Sequence, residues 1–215
     1  MLKVLMAAML LVPANLTANP HSELLRPVIV IRSYDGLAMA GEFTVPRSHV
    51  EDILRRAGIA VSWLECGPDS ALAATSRACG APLRPNEFIL RVVSAMDDHG
   101  ATHRSSLGYS LIDTSTRAGS VAAVYADRIA ALAREADVNR LDLLGRAIAH
   151  EIGHLLTGTT VHTRDGLMRA LWTTRELRRN LPRDWQFSRK QAGTMREMFR
   201  SAAASAAGEA VVASH

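Results

Sequence analysis

The sequence predicts an α+β fold: a twisted mixed sheet of about five strands with one crossover helix, followed by further helices. Three observations predict it. Residues 27–65 read strand, helix, strand within a short span, the pattern of a parallel pair joined by a crossover. Three more strand-like runs precede a long helical segment, Leu141 to Thr157. Beyond that segment, two capping-box patterns announce further helices. A chain of 215 residues, 48% of them hydrophobic, suffices for one compact domain with a substantial core.

Each element has a local reason. Pro27 to Ser33 is rich in β-branched residues and reads as a strand. Tyr34 to Phe43 holds two glycines and reads as a loop. Pro46 to Gly58 reads as a helix, with Ser48 and Glu51 as a capping box, an apolar stripe of Val50, Ile53, Leu54 and Ala57, and Gly58 at its end. Ile59 to Glu65 alternates as a strand does. Cys66 to Glu87 is a loop with helical tendency around Ala71 to Ala78. Phe88 to Val93, Leu107 to Ile112 and Ser120 to Tyr125 are the remaining strands, and Asp113 to Gly119 is turn chemistry. A short helix at Ala126 to Arg134 leads into the long one. Thr173 with Glu176, and Ser188 with Gln191, predict helices over Thr174 to Asn180 and Arg189 to Arg200.

The long helix carries the chemistry. His150-Glu151-Ile152-Gly153-His154 is an H-E-x-x-H pattern on an apolar stripe of Leu144, Ile148, Ile152 and Leu155. Residues four apart share a helix face, roughly 6 Å apart, so both imidazoles reach one metal ion at about 2.0–2.1 Å each. Glu151 falls beside that ion and suits a general base for an attacking water. Gly158 turns the chain, and His162 follows eight residues after His154 as a third ligand. Three protein ligands with one open position describe a catalytic zinc rather than a structural one. Asp165 and then Glu176 rank behind His162 as alternative third ligands. Gly166-Leu167-Met168 is a tight turn carrying a methionine. His99 and His103 are also four apart, but Gly100 lies between them and no apolar periodicity supports a helix, so they read as loop residues. Tyr109 and Tyr125 are candidate oxyanion donors and, more simply, strand residues.

H-E-x-x-H, a glycine, a third His and a methionine turn resemble the signature of the metzincin zinc metalloproteases, and the stretch looks like that of matrix metalloproteinases. The chain departs from that signature in one respect: Thr157 stands at the glycine position, Gly158 follows it, and His162 is displaced by two residues. The chain is also similar to small exported bacterial peptidases, through Trp63-x-x-Cys66, Cys79, the His150 to Gly158 helix, His162 and Gly166-x-Met168-Arg169. This likeness spans roughly Val28 to Arg200. The resemblance implies a single zincin-like catalytic domain over residues 27–200, with Met168 as an apolar floor beneath the histidines. It also implies Leu107 to Ile112 as the antiparallel edge strand along which an extended peptide adds. The expected activity is a zinc endopeptidase: His150, His154 and His162 hold Zn2+, and Glu151 takes the proton of the bound water and passes it to the leaving amine. Two alternatives stay open, an exported zinc-binding protein without activity and a zinc hydrolase acting on a non-protein amide.

The termini bear on location. Met1-Leu2-Lys3, the apolar run Val4 to Val12 and small residues at Ala14 and Ala18 predict a signal peptide over residues 1–18. The run is too short by about half to span a bilayer, so no stable membrane anchor is expected. Export to a secreted or periplasmic location permits a disulfide between Cys66 and Cys79, the only two cysteines. The formal charge of +4, with no zinc-finger, RNP or helix-turn-helix pattern, gives no reason to expect nucleic acid. The expected partner is a protein or peptide substrate, bound by a monomer. Arg175, Arg178, Arg179, Arg183, Arg189 and Lys190 cluster in sequence and read as a solvated face, or, more sharply, as a surface for an anionic partner. Residues 201–215 are Ala-rich and read as a frayed or disordered tail.

Overall fold

The structure, a computed structural model, describes residues 26–35, 45–67, 73–96 and 106–199. The expected signal peptide, the loop after Tyr34, His99, His103 and the C-terminal tail lie outside, or almost wholly outside, the described residues.

Five strands form one sheet in the order β2-β1-β3-β5-β4. They are β1 (Val28–Asp35), β2 (Ala60–Glu65), β3 (Glu87–Val93), β4 (Gly108–Asp113) and β5 (Ala118–Tyr125). β1 runs parallel to both β2 and β3, and β3 runs parallel to β5. β4 alone is antiparallel, paired with β5 at the sheet edge. The fold is α+β with a mixed five-stranded sheet, and the strand after residue 106 takes the edge position expected of it.

The helices are α1 (Arg47–Arg56), α2 (Ala73–Gly80), α3 (Ala126–Ala136), α4 (Arg140–Thr157) and α5 (Thr174–Arg179), with α6 over 189–199. α1 links the parallel strands β1 and β2, as the strand, helix, strand pattern requires. Its start differs from expectation. Pro46, not Ser48, occupies the N-cap, and no side chain caps the helix. Glu51 instead accepts a hydrogen bond of 2.7 Å from the Trp63 indole N–H on β2. A partner on the neighbouring strand has displaced the local capping box. The two later capping boxes form as written: Thr173 with Glu176, and Ser188 with Gln191.

α4 packs across β5 and β4 and against α1 and α3. The sequence suggests a helix with one apolar stripe, yet from Leu143 to Thr157 every residue except Arg146 is buried. Both flanks are covered, by the sheet and by the chain that returns after it. Ile148 and Ile152 belong to the same hydrophobic core as Leu90, Val124 and Leu167. That burial stabilises each large side chain by roughly 1.5–3 kcal/mol.

Cys66 and Cys79 form a disulfide with Cα atoms 5.6 Å apart, tying the end of β2 to α2. Arg32 strengthens the tie. Its guanidinium donates to the carbonyls of Cys79, Ala81 and Pro82 and pairs with Glu87. Arg169 and two members of the basic cluster, Arg178 and Arg179, also have internal roles. Arg169 pairs with Glu176 at 2.7 Å, and Arg179 with Asp184 at 3.0 Å. Arg178 donates to the carbonyls of Glu135 and Ala136 at the end of α3. All six residues of the cluster are exposed, as a solvated face requires, and Arg178 and Arg179 hold internal partners as well.

Candidate metal centre

Gly158 ends α4 with φ 60° and ψ 37°, the left-handed conformation that glycine adopts without strain. Its N–H and that of Thr159 bond back to the last turn, at the Leu155 and His154 carbonyls. The chain reverses there and brings His162 over the helix. His154 Nε2 lies 3.0 Å from His150 Nε2 and 3.3 Å from His162 Nε2. Among the described residues, these three form the one group of His, Cys, Asp and Glu side chains poised for a metal, their ligand atoms all within 4.8 Å of one another.

The other faces of the rings explain why the nitrogens meet. His150 Nδ1 is 2.9 Å from the Leu167 carbonyl, and His154 Nδ1 is 2.7 Å from the Thr159 carbonyl. A carbonyl oxygen only accepts, so each Nδ1 carries its ring's proton and each Nε2 presents a bare lone pair. Two bare nitrogens 3.0 Å apart repel each other unless a cation lies between them. Ligands about 2.0–2.1 Å from a tetrahedral zinc sit about 3.3 Å from one another. The donor set therefore fits zinc, with His150, His154 and His162 as its holders and two carbonyls orienting the rings.

Electrostatics agree. Burial lowers the His150 imidazole to about 3, helped by the neighbouring His154 and His162 and opposed by the Leu167 carbonyl. Burial lowers His154 to about 4, against the hydrogen bond to Thr159. Burial also lowers His162. All three are neutral and ready to ligate near neutral pH. Burial raises the Glu151 carboxyl to about 7, opposed by a hydrogen bond from Ser110.

Met168 and Phe187 lie against the helix between its two histidines. A Cβ added to Gly153 would come 2.8 Å from Met168 Sδ and 2.5 Å from Phe187 Cε1, so only glycine admits this contact. The turn carrying Met168 has Gly166 at φ 78° and closes with a 2.8 Å bond from the Thr163 N–H to the Met168 carbonyl. Trp172 sets its edge against His150, centroids 5.7 Å apart.

The alternative ligands lie elsewhere. Asp165 is exposed and outside the cluster, and Glu176 is committed to Arg169 and its own helix cap. Tyr125 is buried beneath the Arg128 guanidinium, and Tyr109 packs against it with centroids 6.1 Å apart. Cys66 and Cys79 are bonded to each other and take no part. The sequence reading missed Ser110, whose hydroxyl contacts Glu151, and the carbonyls of Thr159 and Leu167. It also missed Phe187 and Trp172. Main-chain carbonyls have no sequence signal, and Ser110 is 41 residues from its partner.

No known family model matches the sequence, and no curated protein is significantly similar to it. Two solved structures are similar in fold. Archaemetzincin from Methanopyrus kandleri is 15% identical, with a TM-score of 0.49, over 86% of this chain and 99% of that one. A zinc-dependent peptidase from Methanocorpusculum labreanum strain Z is 17% identical, with a TM-score of 0.45, over 77% of this chain and 99% of that one. At this distance neither likeness bears on the chemistry, which rests on the side chains themselves.

Proposed function

We propose that this chain is a secreted or periplasmic zinc-dependent endopeptidase with one catalytic domain over residues 27–200. One observation carries the reading. Three imidazole nitrogens converge within 4.8 Å, and on the two helical histidines carbonyls hold the proton on the far nitrogen. A carboxylate that such a site does not need for binding stands next to the first ligand in sequence. When bound, zinc supplies Lewis acidity, activating water and polarising a scissile carbonyl.

Glu151 is the general base. It accepts a proton as the water O–H bond breaks and the water oxygen bonds to the carbonyl carbon. It returns that proton to the amine nitrogen as the C–N bond breaks. Met168 serves as the apolar floor that holds the helix and the turn together.

The edge strand β4 supports a peptide substrate, because among the described residues β5 is its one strand partner. An extended peptide fits there as a further strand through main-chain hydrogen bonds. Leu111, Val161 and Leu171 are apolar and 58%, 70% and 72% exposed, each next in sequence to a residue of the site or its wall. They favour a substrate with apolar side chains. The disulfide supports the exported location. Among the described residues no helix is long and apolar enough to cross a membrane.

Chelation and restoration test the reading. Purified protein should cleave casein, lose that activity in a chelator and regain it with one equivalent of zinc. A protein that binds one zinc per chain and cleaves neither casein nor a peptide library would instead be an inert zinc-binding domain. Cleavage confined to peptidoglycan fragments would identify a non-protein amide as the substrate.

A further inference from the structure

Ser110 lies in the middle of β4, opposite Ala122 of β5. Its hydroxyl oxygen is 2.6 Å from Glu151 Oε2 and 2.9 Å from the main-chain oxygen of the same residue. One hydroxyl proton serves one acceptor at a time. Facing a carboxylate, Ser110 donates to Oε2. With a proton on Oε1, Ser110 still donates to Oε2. Both partners stay satisfied in either state, which matters because Glu151 is almost wholly buried.

Gly108 completes the arrangement. Two residues away on one strand means the same face. A Cβ at Gly108 would lie 3.0 Å from Glu151 Oε1, 3.1 Å from its Cγ and 2.5 Å from the Ala123 carbonyl. The edge strand thus meets the carboxylate with a hydroxyl at one position and a bare backbone at the other. Ser110 grips one oxygen, and Gly108 leaves room for the other.

We infer that Ser110 is the positioning residue of the general base, holding Glu151 Oε2 so that Oε1 takes the proton from water and delivers it to the leaving amine. This rests on the peptidase reading above. Ser110 does not itself exchange the transferred proton. It fixes the rotamer of the group that does, and effective proton transfer needs that geometry.

The test compares Ser110→Ala and Ser110→Thr with the wild type, each loaded with zinc. Ser110→Ala should lower kcat about tenfold, equivalent to about 1.4 kcal/mol, with KM and zinc content unchanged. Ser110→Thr keeps the hydroxyl and should return kcat to within about threefold of wild type. A kcat for Ser110→Ala within twofold of wild type would overturn the assignment. So would a loss matched by a rise in KM, by lost zinc, or by equal failure of the Thr variant.

A second readout needs no turnover. Acetohydroxamate binds zinc while hydrogen-bonding to a neighbouring carboxylate, so its affinity reports how that carboxylate is held. Ser110→Ala should weaken it about tenfold and Ser110→Thr should restore it. Equal affinity for all three proteins would sink the proposal even if the wild type cleaved nothing. Failure of the zinc-loaded wild type to cleave any peptide counts against the peptidase reading alone.

Discussion

At the residue scale, burial sets the protonation of the site before any metal arrives, and the consequences have opposite signs. His150 and His154 titrate at about 3 and about 4 when folded, against 6.5 for a free imidazole. Between those values the unfolded chain binds more protons, so these residues make stability fall as pH drops below 6.5. Glu151 does the reverse. Raised to about 7 from 4.5, it lets the folded chain bind the extra proton, so stability falls as pH rises through that window. Two imidazoles outweigh one carboxyl. Chelator-treated protein should show its highest urea midpoint near pH 6.5 and lose stability steadily toward pH 4, and His150→Asn should flatten that acid limb. An acid limb unchanged by the substitution would show that the imidazole is not held neutral by burial. Removing a ligand is a separate test. His162→Ala should weaken zinc binding by more than about 100-fold, whereas Asp165→Ala and Glu176→Ala should leave it within about threefold; this is read by competition with a chromogenic chelator.

At the element scale, α4 works because it is capped at both ends and covered on both sides. The Asn139 side chain accepts from the N–H groups of Leu141 and Asp142 at its start. Gly158→Ala forces a left-handed conformation on a residue with a Cβ and should cost about 1–2 kcal/mol in urea unfolding. It should also weaken zinc binding, because the turn it makes delivers His162. Gly153→Ala should do more harm than a helix propensity scale implies, since its methyl meets Met168 and Phe187.

The legibility of the sequence divides along this scale. Thr173 with Glu176 and Ser188 with Gln191 were readable because both partners of each cap lie within one helical turn. Ser48 with Glu51 has the same pattern and fails, because the Trp63 indole on the next strand claims the carboxylate. The histidines and Glu151 were readable because their spacing is the geometry of the helix itself. Ser110 was not. Nothing in the run LGYSLI distinguishes a serine that meets a carboxylate on α4 from one that faces solvent. The basic cluster is exposed as its composition suggests, but the acceptors that Arg178 finds, 42 and 43 residues away, have no local signal.

At the scale of the whole molecule, two ties hold loops against the regular elements. The disulfide and Arg32 fasten α2 and the following loop beside β1 and β2. Reducing a bridge between residues 13 apart should lower stability by about 3 kcal/mol on the loop-entropy account, measured by urea unfolding with and without reductant. Because the disulfide lies on the strands at the other end of the sheet order from β4, zinc affinity should be unchanged by reduction. The second tie is the three-histidine cluster, which joins α4 to the loop bearing His162. Zinc that binds only the folded chain should raise its melting temperature, and chelation should lower it.

The central claim is that the carboxylate beside this cluster makes a metal site into a hydrolytic one. The most direct measurement is casein hydrolysis by wild type and Glu151→Ala at equal, measured zinc content. The account predicts one zinc per chain in both proteins and a rate at least about 100-fold lower in the variant. Equal rates in the two proteins, or no hydrolysis by a wild type carrying its full zinc, would contradict it.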